Sequence, residues 1–229
     1  MKTIGLIGGM SWESTVTYYQ IMNETIRERL GGLHSAKILM YSIDFYELEK
    51  MQSEGAWEEA GKMMADAAQR LERAGADFIL IGANTMHKIY GRVQEAVRIP
   101  VLHIAQLTAD VLKQQNIGRV GLLGTKYTVT EDFYISKLTE NEIETIVSPP
   151  ERILEINRII YEELCMGILK DSSRELMLDE IQRLKERGAG GVILGCTEIG
   201  LLVHPEDTDV KLFDTTVIHA EQAAMRSLE

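Results

Sequence analysis

Cys196 stands where a thiol could exchange protons with a bound ligand. It lies in the segment Gly195-Cys196-Thr197-Glu198-Ile199-Gly200, directly after an apolar run at residues 191–194 that predicts a buried strand. Open α/β sheets bind ligands outside the carboxyl ends of their strands, where backbone N–H groups hold anions and lower the pKa of a thiol from about 8.5. A single cysteine can equally be a small buried core residue, and both interpretations are open at this point.

A second segment repeats this pattern without the thiol. Residues 73–85 align without gaps with residues 186–198, and Ala83 then corresponds to Cys196. Each copy predicts a helix end, a Gly-Ala turn, a buried strand and a polar strand end. Such an internal repeat indicates two copies of one structural unit.

The opening strand predicted at residues 3–9 is repeated as well, by residues 119–124. We therefore expect an α/β protein with two similar lobes that face each other across a cleft. The predicted first lobe comprises residues 1–98 plus 210–229, because the last strand and helix are expected to return to it. The predicted second lobe comprises residues 99–209.

Two lobes that each place a strand-end group at one cleft could act on opposite faces of a carbon atom. This suits stereoinversion at an acidic C–H, in which one group removes a proton and the other delivers one. Donors must then hold the α-carboxylate of the substrate and stabilise the carbanion. The side chains at the predicted strand ends are Asn84, Thr85, Thr197 and Glu198.

Composition narrows the class of protein and of partner. The chain has 229 residues, 45% hydrophobic and 26% charged, and a net charge of −11 without a Lys/Arg cluster, which argues against nucleic acid and anionic membranes. Its two cysteines are too few for a disulfide framework, which favours a reducing compartment. No apolar run reaches the length of about 20 residues that a membrane span needs. Met1-Lys2 leads straight into a predicted strand, without the pattern of a signal peptide. We expect a cytoplasmic protein. The glycine turn at residues 8–9 lacks the dinucleotide-binding spacing, which disfavours a nucleotide.

Five further polar residues are candidates with ordinary structural alternatives. Asp44 could contact substrate or cap the helix that follows it. His87 is more typical of a structural hydrogen-bonding residue than of a base, and His219 lies near a strand end and could approach the cleft. Lys170, in a predicted loop, could reach a substrate carboxylate, whereas Cys165 lies among apolar helix positions and is expected to be structural.

Seven motifs, spread over the whole chain, are specific in combination. They are Gly8-Gly9-Met10-Ser11-Trp12-Glu13-Ser14-Thr15, Gly31-Gly32-Leu33-His34-Ser35, Ser42-Ile43-Asp44-Phe45, Asn84-Thr85-Met86-His87-Lys88, Leu123-Gly124-Thr125, Gly195-Cys196-Thr197-Glu198 and Phe213-Asp214-Thr215. Together they resemble the aspartate/glutamate racemase family, within the larger group that includes hydantoin racemases and arylmalonate decarboxylases. The resemblance is strongest to the bacterial branch described as L-aspartate/glutamate-specific or broad-specificity amino-acid racemases.

The resemblance implies two pseudo-symmetric Rossmann-like lobes, each a mainly parallel sheet flanked by helices, with the active site in the cleft between them. It also implies a homodimer that uses no pyridoxal phosphate and no metal, and a small acidic amino acid as substrate. Cys196 corresponds to the family's second catalytic cysteine. The positions that correspond to substrate contacts are Met10, Gln52 (in a predicted polar loop, residues 51–55), Asn84, Thr85, Thr125, Thr197 and Glu198. Lys170, or an arginine brought in by loop closure, could hold the distal carboxylate.

Ala83 departs from the family pattern, which has cysteine or threonine immediately before the Asn-Thr pair. Alanine has no proton to give or accept. Either another group or water serves that face, or the residue is an engineered inactivation, or the protein no longer racemises. The alternatives to a racemase are therefore a one-cysteine decarboxylase or related lyase, and a non-catalytic binder of acidic amino acids.

Overall fold

The computed structural model describes all residues from Met1 to Glu229, and the chain divides into two compact units. Unit 1 comprises Met1–His103 and His219–Glu229, and unit 2 comprises Ile104–Ile218. None of the helices combines the length and the apolar composition that crossing a membrane requires.

Unit 1 is built on a four-stranded parallel sheet with the strand order β2-β1-β3-β4. Its elements are β1 (Ile4–Gly8), α1 (Trp12–Leu30), β2 (Ile38–Ser42), α2 (Phe45–Ser53), α3 (Trp57–Arg73), β3 (Phe78–Ile81), a 3₁₀ turn (Thr85–Ile89), α4 (Tyr90–Glu95) and β4 (Val101–Leu102). Alternate strand residues face opposite sides of the sheet. Leu6 and Leu80 therefore pack with Tyr18 of α1, whereas Ile7 and Ile81 lie in the cluster that contains α3.

Unit 2 has a four-stranded parallel sheet with the equivalent order, β6-β5-β7-β8. Its elements are α5 (Ile104–Gln114), β5 (Arg119–Gly124), α6 (Lys126–Thr130), α7 (Asp132–Glu140), β6 (Glu144–Val147), α8 (Pro150–Glu162), a 3₁₀ turn (Leu164–Met166), α9 (Asp171–Glu186), β7 (Val192–Gly195), α10 (Ile199–Leu202), a 3₁₀ turn (Pro205–Asp207) and β8 (Leu212–Asp214). The last helix, α11 (Thr215–Ser227), begins in unit 2 and continues in unit 1.

The two sheets confirm the internal repeat. Their strand orders correspond one to one, with β1, β2, β3 and β4 matching β5, β6, β7 and β8. The Gly-Ala turn before the third strand also has the same backbone in both copies, with φ +99 at Gly75 and +95 at Gly188. Residues other than glycine rarely adopt this conformation, so the turn requires glycine at both places. The α/β fold with two parallel-sheet lobes is as expected.

The division between the units differs from the predicted boundaries at 98/99 and 209/210. Strand β4 pairs with β3, through Ile79 with Val101, and this keeps the chain in unit 1 as far as His103. Strand β8 pairs with β7, through Ile193 with Phe213, so residues 210–218 belong to unit 2 rather than to unit 1. Only the part of α11 that begins at His219 returns to unit 1, because Ala220 and Ala223 pack there against Ile4.

Candidate active site

The carboxyl ends of three strands meet around Cys196 in unit 2. Gly124 at the end of β5 is the register partner of Gly195, and Leu194 is the partner of Asp214 at the end of β8. Thr125 directly follows Gly124, and Cys196 directly follows Gly195. Since parallel strands bring their carboxyl ends to one edge of a sheet, the register gathers the predicted polar positions of this unit at one place.

A carboxylate organises the side chains at the end of β7. The Cys196 Sγ–H donates a hydrogen bond to Glu198 Oε2 over 2.8 Å, and Thr197 Oγ1 donates to Glu198 Oε1 over 2.8 Å. All three residues are buried, with 6% of Cys196 and 3% of Glu198 exposed. Thr216 Oγ1 reaches the Thr197 carbonyl over 3.5 Å. Glu198 therefore fixes the orientation of the thiol.

The pKa of the Cys196 thiol lies well above its usual value. Burial is the largest cause, because it penalises the thiolate, and the nearby charge of Glu198 adds to it. The backbone N–H of Glu198 lowers this pKa as expected, but its effect is the smallest of the causes, so the expected net lowering of the thiol pKa is wrong for this structure. At neutral pH Cys196 is a thiol, a proton donor rather than a standing nucleophile.

Replacement of Glu198 by glutamine should make Cys196 more reactive. The substitution removes the negative charge that opposes thiolate formation, and each pKa unit lost raises the thiolate fraction, and with it the alkylation rate, roughly tenfold. The measurement is the iodoacetamide alkylation rate in a Cys165→Ala background, which leaves Cys196 as the one thiol. The exposed Glu206→Gln variant is the control. Slower or unchanged alkylation of Glu198→Gln would show that its charge does not set the thiol pKa.

Unit 1 gathers a corresponding set at the ends of β1 and β3. The Gly82 N–H donates to the Ile7 carbonyl over 2.9 Å, which keeps the two strand ends side by side. Met10 and Ala83 then follow these ends, and both belong to one buried cluster with Met86. Ala83 is buried, and its side chain is a methyl group, so this unit presents no acid or base at the place equivalent to Cys196.

Gln52 reaches the same cluster from α2. Its Nε2 donates to the Met86 sulfur over 3.0 Å, and only 4% of Gln52 is exposed. The predicted polar loop at residues 51–55 is wrong at this point, because α2 continues to Ser53 and carries Gln52 in its last turn. Asn84 and Thr85 begin the following 3₁₀ turn and are also buried. Met10, Gln52, Ala83, Asn84 and Thr85 thus all belong to buried structure in unit 1.

His87 and His219 lie in a buried aromatic cluster of unit 1 and are not free bases. His219 Nε2 donates to the Leu102 carbonyl (3.2 Å), which leaves Nδ1 to accept from the Tyr18 hydroxyl (2.9 Å). His87 Nδ1 donates to the Ala83 carbonyl over 2.9 Å. Burial lowers the pKa of His87 to about 4 and that of His219 to about 3. Both rings are therefore neutral structural donors at neutral pH, and His87 fixes the backbone of Ala83.

These two histidines should make the protein sensitive to acid. Both have a folded-state pKa below their unfolded value of about 6.5, so unfolding takes up protons and the free energy of unfolding falls as the pH decreases from 6.5 through 4. His87 alone accounts for about 3 kcal/mol of this loss. Urea unfolding between neutral pH and about pH 4 measures it. In His219→Gln the free energy of unfolding should depend less on pH, whereas the exposed His34→Gln should leave this dependence unchanged. An equal pH dependence of the free energy of unfolding in both variants would contradict its assignment to the buried histidines.

The remaining candidates have partners of their own. Asp44 caps α2, since its Oδ1 accepts from the Tyr46 N–H over 3.1 Å. Thr125 caps α6 through the Thr128 N–H. Lys170 Nζ lies 3.2 Å from Glu163 Oε1, in a network separate from that of Cys196, and a substrate contact by Lys170 stays a prediction. Cys165 is partly buried against the apolar cluster that contains Cys196.

One residue beside the site had no assigned role in the sequence. Asp214, at the end of β8, accepts hydrogen bonds from the Thr216 and Val217 N–H groups and so caps α11. Burial raises its pKa, and the charge of Glu198 contributes to the same effect. The available signal was the motif Phe213-Asp214-Thr215, but the sequence does not show that its carboxyl group lies within electrostatic reach of Glu198.

The fold and the site define a double α/β protein whose strand ends carry related polar groups in both units. Comparison with known proteins agrees: the Asp/Glu/hydantoin racemase family matches residues 7–223, and the chain belongs to this family. A crystal structure of a candidate Asp/Glu racemase from Yersinia pestis is similar over 100% of both chains, with 48% identity and a TM-score of 0.92. An aspartate racemase homologue from Pyrococcus horikoshii OT3 is 40% identical over 100% of both chains, with a TM-score of 0.86.

Among curated proteins, the broad specificity amino-acid racemase RacX of Bacillus subtilis is 28% identical over 148 residues. This alignment spans 62% of the present chain and 63% of the length of RacX. No group of three or more His, Cys, Asp or Glu side chains in the structure is arranged to hold a metal ion.

Proposed function

We propose that the protein is a cofactor-independent enzyme that transfers protons at the α-carbon of aspartate or glutamate, with the Cys196 thiol as its acid/base group. The hydrogen bond of 2.8 Å from Cys196 Sγ to Glu198 Oε2, at the end of a central parallel strand, carries this proposal. Family membership supports the racemase class, and the names of the relatives support acidic amino acids as the substrate class.

Glu198 opposes the loss of the Cys196 proton to solvent, but it can itself accept that proton during transfer to or from a bound substrate. When the thiol proton moves along the hydrogen bond to Glu198, a thiolate and a neutral carboxylic acid replace a thiol and a carboxylate. The net charge of the pair stays the same, so two adjacent anions never form. The thiolate can then remove the α-proton of the substrate, and the reverse sequence returns a proton to the α-carbon.

The substrate carboxylates need donors, because the net charge of −11 repels an acidic ligand at long range. We assign this role to the side chains and adjacent N–H groups of the residues that the family resemblance implies: Met10, Gln52, Asn84, Thr85, Thr125 and Thr197. Lys170 could add a cation only by leaving Glu163, which also accepts from Ser173 Oγ over 2.6 Å. Lys170 is therefore the weakest member of the proposed set.

Ala83 makes the proposed reaction one-sided. Cys196 protonates and deprotonates one face of the α-carbon, and the repeat leaves the equivalent position of unit 1 without a titratable group. His87 and His219 do not replace it, since both His219 nitrogens and His87 Nδ1 are committed to the hydrogen bonds described above. The Cys196 thiol must stay reduced, which fits a protein of the cytoplasm.

The substrate class is tested with α-hydrogen exchange in heavy water, followed by ¹H NMR. The substrates are L- and D-aspartate and L- and D-glutamate, with L-alanine and L-lysine for comparison. At least one acidic amino acid should lose its α-proton signal while the other two amino acids do not. If none of the acidic substrates exchanges, the proposal fails, and release of carbon dioxide from a disubstituted malonate would then favour the lyase alternative.

We also propose that two copies associate through an apolar stripe on α1 and β2. Trp12, Val16 and Tyr19 share one face of α1 at helical spacing and are 67%, 56% and 52% exposed, and Met40 on the edge strand β2 is 43% exposed. They line a cavity of about 400 Å³ beside the unpaired edge of β2. Such a patch suits a self-complementary two-fold contact, because a free strand edge can pair with its own copy.

Trp12→Glu should shift the protein from dimer to monomer in size-exclusion chromatography with light scattering. A buried charge on each copy would oppose association, and two such charges would meet across a two-fold axis. Leu154→Glu is the matched control, since Leu154 is 63% exposed on α8 of unit 2. A monomeric parent, or a Trp12→Glu variant that stays dimeric, would contradict this contact.

A further inference from the structure

A polar cavity lies between the first turns of α8 and the last turns of α9 in unit 2. Its volume is about 490 Å³, and charged side chains of both signs line it. None of them belongs to the hydrogen-bond network of Cys196. The family motifs quoted above contain none of these residues, and the proposed reaction uses none of them.

The key observation is a buried carboxylate in the cavity wall. Glu180 lies on the core-facing side of α9 with Met177, Ile181 and Leu184, and only 1% of it is exposed. Neither of its carboxylate oxygens has a hydrogen-bond partner. Arg152 Nε lies 3.2 Å from Oε2, an ion-pair contact without hydrogen-bond alignment, and Oε1 has no such contact. A buried charge without hydrogen bonds is costly, so its presence at an apolar position indicates that it receives a donor.

The neighbouring guanidinium groups leave this donor to be supplied from outside. Arg152 divides its remaining contacts between Glu155 and Asp179, each at 3.0 Å. Arg183 also pairs with Asp179, at 3.0 Å. Arg187 donates from Nη1 to the Val147 carbonyl over 2.8 Å, which uses one of its five N–H donors and leaves the others for a ligand.

We propose that this cavity binds a free amino acid of neutral or positive net charge, at a site separate from Cys196. Its α-ammonium group displaces Arg152 Nε from Glu180 and donates to the Glu180 carboxylate, while Arg152 keeps its contacts with Glu155 and Asp179. Its carboxylate accepts from Arg187, with Arg183 beside it. The wall contains four glutamates, at positions 151, 155, 180 and 186, and three arginines, so its surplus is negative and it disfavours acidic ligands. The volume of 490 Å³ leaves room for a side chain.

Calorimetric titration of the full chain tests the site with L-lysine and glycine as probes. Butylamine and acetate, which carry one charged group each, are the comparison ligands. We expect one saturable site for L-lysine with a Kd of about 1 mM or below, and weaker binding of butylamine and acetate. Cys196→Ala should bind L-lysine as the parent does, which separates this site from the catalytic one.

Glu180→Gln keeps the shape of the side chain, removes its charge and should weaken L-lysine binding at least tenfold. Arg187→Gln should weaken L-lysine binding to a similar degree while leaving Glu180 intact. If circular dichroism shows that Glu180→Gln folds poorly, Arg187→Gln provides the test of the site. Glu175→Gln, exposed on the same helix, should bind as the parent does. Absence of saturable binding, unchanged binding in folded Glu180→Gln and Arg187→Gln, or equal affinity for butylamine would overturn the proposal.

Discussion

Ala83→Cys should convert the protein into a two-sided racemase of acidic amino acids. The internal repeat makes residue 83 the equivalent of Cys196, and the substitution places a thiol where unit 1 now has a methyl group. A positioned general acid or base accelerates proton transfer by about 10²–10⁴-fold, and we expect a gain of this order in the rate of inversion. The measurement is chiral chromatography of L- and D-aspartate and L- and D-glutamate after incubation with parent and variant.

Ala83→Thr and Ala83→Ser are the companions of this experiment. Threonine occurs at this position in some members of the family, so Ala83→Thr should also gain inversion. Ala83→Ser carries the same kind of hydroxyl as Ala83→Thr, and a hydroxyl ionises far less readily than a thiol, so both variants should gain less inversion than Ala83→Cys. A parent that already inverts its substrates at the rate of Ala83→Cys would show that another group serves the second face.

Cys196→Ala should abolish proton transfer. Cys196 is the only proposed acid/base in contact with the α-carbon, and its loss should lower the rate of α-hydrogen exchange by at least about 10²–10⁴-fold. Cys165→Ala is the matched control, because Cys165 is the other free cysteine and packs against the same apolar cluster. Exchange in Cys165→Ala should stay within about twofold of the parent, as expected for a residue that acts through packing alone. Exchange that survives Cys196→Ala would exclude the thiol mechanism.

Much of the fold could be predicted because the repeat and the apolar runs are local signals. The buried strands at β1, β3, β5 and β7 contain continuous apolar segments, and the glycines at positions 75 and 188 mark the turns before two of them. The lobe boundaries were predicted less well. The short strands Val101–Leu102 and Leu212–Asp214 join a sheet by pairing with a strand that is distant in the sequence. The residues of a short strand do not indicate which sheet it joins.

The position of the Cys196 thiol at a strand end could also be predicted, but its protonation could not. The segment Gly195-Cys196-Thr197-Glu198 places the thiol at a strand end, and the strand register confirms that position. Whether its pKa rises or falls depends on burial and on the direction of the Glu198 side chain, and only the three-dimensional structure gives these. The same holds for His219, whose two ring nitrogens are occupied by Tyr18 and Leu102.

Glu180 illustrates a different limit of sequence analysis. In the sequence it is one of several acidic residues on a charged helix, and nothing separates it from its neighbours Asp179 and Glu186. The structure shows that it alone of these three turns into the apolar core-facing side of α9, without a hydrogen bond to its carboxylate.

If one thiol serves one face of the substrate, the two enantiomers of an amino acid should exchange their α-hydrogen at different rates. L- and D-aspartate, and likewise L- and D-glutamate, would be incubated separately with the parent protein in heavy water, and the initial rate of α-deuterium incorporation measured for each. We predict that one enantiomer exchanges at least about tenfold faster than its mirror image, with retention of configuration, because only Cys196 transfers protons. Equal exchange of both enantiomers would contradict this mechanism.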